Sequence, residues 1–153
     1  EYVGAIKCKM CHNKAETGSQ YTKWTESKHS KAFEILTGEK AKEIGRGKGT
    51  DDPSKDAMCL KCHSTAAAAD QNLVTEFITV KEGVSCESCH GPGSVYKSNT
   101  IMQDQKKAIE SGLIMPDEKT CLTCHNEESP TFAGFDFEEY MTKIAHRIPE
   151  DQD

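Results

Sequence analysis

Four short phrases carry the chemistry of this sequence. Each sets two cysteines three positions apart with a histidine directly after: Cys8-Lys9-Met10-Cys11-His12, Cys59-Leu60-Lys61-Cys62-His63, Cys86-Glu87-Ser88-Cys89-His90 and Cys121-Leu122-Thr123-Cys124-His125. All eight cysteines and four of the six histidines fall in these phrases. Two thiols about one helical turn apart can bond the two vinyl groups of one porphyrin as thioethers, and the next histidine can then give a ring nitrogen to the iron. The phrases therefore predict four covalently attached haem c groups, with His12, His63, His90 and His125 as iron ligands. Two four-cysteine zinc sites, redox dithiols or structural disulfides could use the same pairs, but none of them needs a histidine after every pair.

The elements that must position these phrases are short. The chain has 153 residues, 35% hydrophobic and only 7% aromatic, which is thin for an apolar core of this length. Four haems would supply the missing apolar bulk. The expected fold is all-α, mostly helix and loop wrapped around four haems, as one domain over 1–153 that requires its cofactors to fold. The unequal spacing of the phrases excludes a stacked solenoid. Helices are expected at 8–12, at 20–37 with Ser19 as N-cap and Gly38 as the stop, and from Asp52-Pro53 into the second phrase. Residues 66–69 could add a short one. Further helices are expected over 99–111, stopped by Gly112, behind Asp117 into the fourth phrase, and over 137–147 behind an Asp136–Glu139 capping box. The glycine-alternating stretch 45–49 reads as a flexible loop. The β-branched stretch 73–80 reads as a short strand or an extended link, and the acidic tail after Pro149 as loose.

Two histidines stand outside the phrases, His29 and His146, each on an expected helix with apolar neighbours. They are candidate distal iron ligands, against the plainer reading of two partly buried histidines. A low-spin haem iron takes an axial ligand on each face, so four irons need four distal ligands and the chain offers two such histidines. Met102 and Met115 are the methionine candidates for the others, since both lie away from a phrase in apolar company. A lysine, the N-terminal amine, a residue of a partner chain through self-association, or an open position are the alternatives.

The formal net charge is -6. This excludes the basic footprint of a nucleic-acid binder and suits docking against basic patches on redox partner proteins. No stretch is long enough to span a membrane. No signal peptide is visible at Glu1, so the expectation is a mature or trimmed chain. Covalent haem c is installed outside the cytoplasm, which points to a periplasmic or extracellular protein.

The combination of stretches resembles the cytochrome c-554 family, small tetrahaem cytochromes of ammonia oxidisers and of metal-, sulfur- and nitrogen-respiring bacteria. The resemblance rests on Tyr2-Val3-Gly4, on Trp24-x-x-Ser27-x-His29-x-x-Ala32-Phe33, and on Gly83-Val-Ser-Cys-Glu-Ser-Cys-His-Gly-Pro-Gly-Ser94. Cys121-Leu-Thr-Cys-His-Asn126-x-x-Ser129-Pro130 and Ile144-Ala-His146 extend it over nearly the whole chain. It implies haems packed in parallel and perpendicular pairs, single-electron shuttling in anaerobic, nitrogen or metal respiration, and His29 and His146 as distal ligands. The ammonia-oxidiser type carries three bis-histidine haems and one five-coordinate haem, whereas here a third non-proximal histidine is absent. The alternative is a haem enzyme or binder of nitric oxide, nitrite, hydroxylamine or peroxide at a five-coordinate haem. Arg46 and Arg147 are the only arginines available to such a pocket, with lysines or Tyr96 as possible proton donors.

Overall fold

The computed structural model describes residues 1–149; the acidic tail after Pro149 lies outside them. Among the described residues eleven short α-helices are joined by turns and single 3-10 turns. Among the described residues there is no strand, only an isolated parallel bridge between Tyr2 and Val74. The stretch 73–80 is the extended link, not a strand: Leu73 takes the Tyr2 amide (2.7 Å) and Thr75 donates back to the Tyr2 carbonyl (3.1 Å).

The helices that carry the phrases are each set by a local device. Helix α1 (Ala5–His12) holds the first phrase and ends at Asn13. In α5 (Ala57–His63) the Asp56 carboxylate accepts the Met58 amide, and α6 (Thr65–Ala68) follows at once with Ser64 capping Ala67. Helix α7 (Cys86–His90) starts from Ser85, whose hydroxyl accepts the Glu87 amide. Helix α10 (Glu118–Leu122) begins in a reciprocal capping box between Asp117 and Thr120. The Cys124 and His125 amides continue its last turn onto the Cys121 carbonyl. These caps satisfy amides that a helix start leaves unpaired.

Several expected elements break. The long helix over 20–37 is two pieces, α2 (Gln20–Glu26) and α3 (Ala32–Ile35), with His29 in the turn between them. The Ser27 hydroxyl donates to the Trp24 carbonyl and the Ser30 hydroxyl to those of Thr25 and Ser27. Serine side chains here compete with the helical ladder and stop it. Ser19 precedes α2 but caps nothing with its side chain; it has a left-handed backbone, φ 52°. The glycine stretch is not a loop throughout, because α4 runs Glu39–Gly47. A methyl group at buried Gly45 would lie 2.7 Å from the Pro53 ring, so a small residue lets this helix sit against the 3-10 turn Pro53–Lys55. The 99–111 helix is divided into α8 (Asn99–Met102) and α9 (Gln105–Glu110), since Asp104 caps Lys107 and restarts the chain. Helix α11 (Phe137–Ile144) stops before His146.

The buried apolar set is small: Val3, Ala5, Ala32, Leu36, Ala66, Ile78, Tyr96 and Ala108. Much larger apolar side chains near the phrases stand exposed, Met10 by 81% and Met58 by 74%. Apolar surface of this kind, inside or beside a cysteine phrase, suits a partner that is itself apolar and flat.

Candidate haem sites

Each phrase places its thiols within one helical turn on a separate element. Before any bond to a cofactor the eight cysteines are free thiols. Thiols of different phrases adjoin. The Cys8 thiol lies against Cys86, whose hydrogen bond holds Cys8 down while raising Cys86. Burial, and then the nearby Cys124, pushes Cys62 up to about 11. Burial, and then the charges of Cys121 and Cys124, pushes Cys89 up to about 11. The first phrase thus neighbours the third and the second neighbours the fourth, and the charges of the fourth phrase reach Cys89 in the third.

Among the described residues no three His, Cys, Asp or Glu side chains converge as a metal-holding group, whereas a structural zinc site needs four.

Several histidines are held at Nδ1 by a hydrogen-bond partner. His90 Nδ1 donates to the Ile114 carbonyl (3.0 Å), His63 Nδ1 to that of Ala32 (2.7 Å), and His12 Nδ1 faces Gln20 Oε1 at 3.4 Å. Outside the phrases, His146 Nδ1 donates to the Ile144 carbonyl (2.9 Å). A carbonyl on Nδ1 fixes the tautomer and leaves Nε2 free to bind a metal. His125 is instead oriented by stacking, with Phe135 at 4.9 Å and 23° and Tyr140 at 6.0 Å.

The imidazoles also pair. The ring centroids of His29 and His125 are 6.0 Å apart with planes at 71°, and those of His90 and His146 are 6.0 Å apart at 73°. Two imidazoles on opposite sides of one metal, each at a metal–nitrogen distance of about 2 Å, have ring centres about 6 Å apart. Burial, and then the neighbouring His125, lowers the His29 pKa; burial lowers that of His90 as well. Both shifts favour the neutral ring, which is the form that ligates. The four cysteine pairs fit four haem groups in number and spacing, and the two imidazole pairs have the separation of ligands to one metal.

Glycines place both outlying histidines. Gly83 (φ +73°) lies under the His29 turn, where a methyl group would meet the His29 and Ser30 carbonyl oxygens at 2.8 Å. The Val84 amide donates to the His29 carbonyl (3.0 Å), and Trp24 Nε1 donates to the Val84 carbonyl (2.9 Å). Gly18 (φ +99°) receives the other segment: a methyl group there would lie 2.4 Å from the Arg147 carbonyl oxygen, one residue beyond His146. Only a residue without a side chain permits these approaches.

The remaining candidates fall elsewhere. Met115 is half-exposed with its sulfur 3.9 Å from Gln105 Nε2, and Met102 is half-buried at the end of α8. The Tyr96 hydroxyl is engaged with the Gly91 carbonyl (2.7 Å), and burial raises its pKa. Sequence reasoning missed two carboxylates. Glu87, 2% exposed, accepts the amides of Val3, Gly4 and Gly93, and Glu82 accepts that of Ala5. A charged residue within a cofactor-binding phrase, at Glu87, was the available signal.

Comparison with known proteins identifies a family. Residues 7–91 match the family described as cytochrome c554 and c-prime. The chain belongs to that family of haem c proteins, and its eight cysteines match four covalently bound haem c groups. It is 29% identical over 150 residues to cytochrome c-554 of Nitrosomonas europaea, an alignment covering 87% of this chain and 61% of that protein. The chain thus spans under two thirds of the length of this relative. No solved structure matches it.

Proposed function

We propose that this chain is a tetrahaem electron carrier that passes single electrons between redox partner proteins in anaerobic, nitrogen or metal respiration. In this reading the four cysteine pairs hold the rings. His12, His63, His90 and His125 ligate the four irons, His29 shares an iron with His125, and His146 shares one with His90. The observation that carries it is the pair of imidazole pairs, both 6.0 Å apart and steeply crossed. Nitrogen ligands on both faces suit low-spin electron transfer without a substrate.

Contacts of Cys8 with Cys86 and of Cys62 with Cys124 support close spacing of the first site with the third and of the second with the fourth. The exposed acidic side chains around the fourth phrase, Asp117, Glu118, Glu127, Asp136 and Glu138, support a partner with a basic docking face. Installation of haem c outside the cytoplasm supports a periplasmic or extracellular location. Among the described residues no helix is long and apolar enough to cross a membrane.

A second reading has one observation behind it. Among the described residues no second imidazole faces His12 or His63 in the manner of the two pairs. An open position at either site would bind a small molecule; Met102 and Met115 are the sulfur ligands that would close it. Low-temperature EPR of the oxidised protein, with an absorption scan of the reduced protein under carbon monoxide, separates the readings. Four low-spin haems inert to carbon monoxide support the pure carrier. Two high-spin haems that bind carbon monoxide support the second.

A further inference from the structure

The three consecutive amides of Val3, Gly4 and Ala5 enter α1 against two carboxylates. Glu87, from inside the third phrase, accepts the Val3 amide (2.9 Å) and the Gly4 amide (2.8 Å), and takes Gly93 from the far side (2.7 Å). Glu82, at the end of the 3-10 turn Val80–Glu82, accepts the Ala5 amide with Oε1. Its other oxygen, Oε2, is buried and has no hydrogen-bond partner among the described residues. The two carboxylates therefore differ. Glu87 has donors on both oxygens, while Glu82 has a donor on one and a dry surface on the other.

The groups facing Glu82 give its anion little support. From α7 come the Glu87 carboxylate and the Cys86 thiol, from α1 the Cys8 thiol, and from α2 the Tyr21 hydroxyl. The cysteines place Glu82 beside the first and third cofactor positions, where they adjoin. A buried oxygen without a donor disfavours a carboxylate and tolerates a carboxylic acid. One further negative charge nearby would add to that preference.

We propose that Glu82 is a redox-linked proton site: when one electron from the donor protein reduces an adjacent iron from ferric to ferrous, the Glu82 carboxylate takes one proton from water and becomes neutral. On reoxidation the electron leaves to the acceptor and the proton returns to solvent, so charge in this dry wall stays nearly constant through the cycle. Burial, opposed by the Ala5 amide and reinforced by Glu87, already holds the Glu82 pKa above its ordinary value. The inference rests on the electron-carrying reading of the phrases.

The test is reduced-minus-oxidised infrared spectroscopy of the holoprotein, with potentiometric titration over a range of pH. A carboxylic-acid C=O band should grow on reduction, move in heavy water, and move again when glutamate carries carbon-13, a label kept out of the haem propionates by supplying unlabelled 5-aminolevulinic acid to an expression strain that cannot make it. In E82Q the band should vanish, and the fall of midpoint potential with rising pH should be lost for the sites at the first and third phrases. Failure to accept electrons reversibly would overturn the electron-carrying reading. Reversible reduction with no glutamic-acid band would overturn this proposal alone, and the labelled wild type decides it even if E82Q does not fold.

Discussion

His29 sits in a serine-bounded turn, yet its ring stands 6.0 Å from that of His125, which closes the fourth phrase nearly a hundred positions later. The pairing depends on the break in the helix, since the Ser27 and Ser30 hydroxyls stop the ladder and carry His29 off the helix axis. H29A should convert one haem in four from low-spin to high-spin, read by EPR, and add about one equivalent of carbon monoxide binding on reduction. H146A should do the same to a different haem, and the double variant should show both losses independently.

The glycine under that turn gives a second expectation. G83A forces a methyl group against two backbone carbonyl oxygens at 2.8 Å with a positive φ. It should lower holoprotein stability by about 2–3 kcal/mol, read from the denaturant midpoint. It should also disturb the low-spin signal assigned to His29 and His125 while leaving the other pair intact. G47A, with open space around the added carbon, should be neutral or stabilising by up to about 1 kcal/mol.

Glu87 joins the entry to the first phrase to the body of the third. E87A strands three amides that the carboxylate now accepts. Leaving buried donors unpaired should cost about 2–4 kcal/mol, measured as unfolding of the holoprotein. E87Q keeps the volume and part of the accepting capacity, and should fall between wild type and E87A.

Glu82 sets a pH dependence with a definite sign. Its folded-state pKa is raised chiefly by burial, so the native chain binds more protons than the unfolded chain in the window that opens near the ordinary value of 4.5 and extends above it. This contribution makes stability fall as pH rises through that window. Denaturant midpoints collected across it should show a smaller fall in E82Q than in wild type.

The surface charge makes a kinetic prediction. With a net charge of -6 and acidic side chains gathered near the fourth phrase, oxidation by an anionic complex such as ferricyanide should speed up several-fold as ionic strength rises from about 0.01 M to 0.15 M. Reaction with a cationic ruthenium ammine should slow over the same range. Stopped-flow traces at a few salt concentrations read both.

The phrases and their cofactor were legible because local spacing defines them. The Asp52, Asp117 and Asp136 caps were legible for the same reason, being carboxylates just ahead of their helices, but the expected Asp136–Glu139 box is one-sided, because Glu139 pairs with Lys143 one turn on. The 20–37 helix was over-extended because its apolar periodicity continues through Ser27–Lys31, while the hydroxyl-to-carbonyl bonds that break it leave no mark on that pattern. Gly45 looked like a loop residue, since its reason, contact with Pro53, is tertiary. The matching of His29 with His125, and the capture of the Val3–Ala5 amides by Glu87 and Glu82, join distant segments and follow from no local rule.

The cross-phrase contacts between Cys8 and Cys86, and between Cys62 and Cys124, carry a consequence for biogenesis. Neighbouring thiols in an oxidising compartment are one exchange reaction away from a disulfide, and here each such bond would tie together two different phrases and disable both. Maturation must therefore run as a race in which the thiols are kept reduced and are capped as thioethers before the chain closes, so the order of assembly is as much a part of this protein's design as its final contacts.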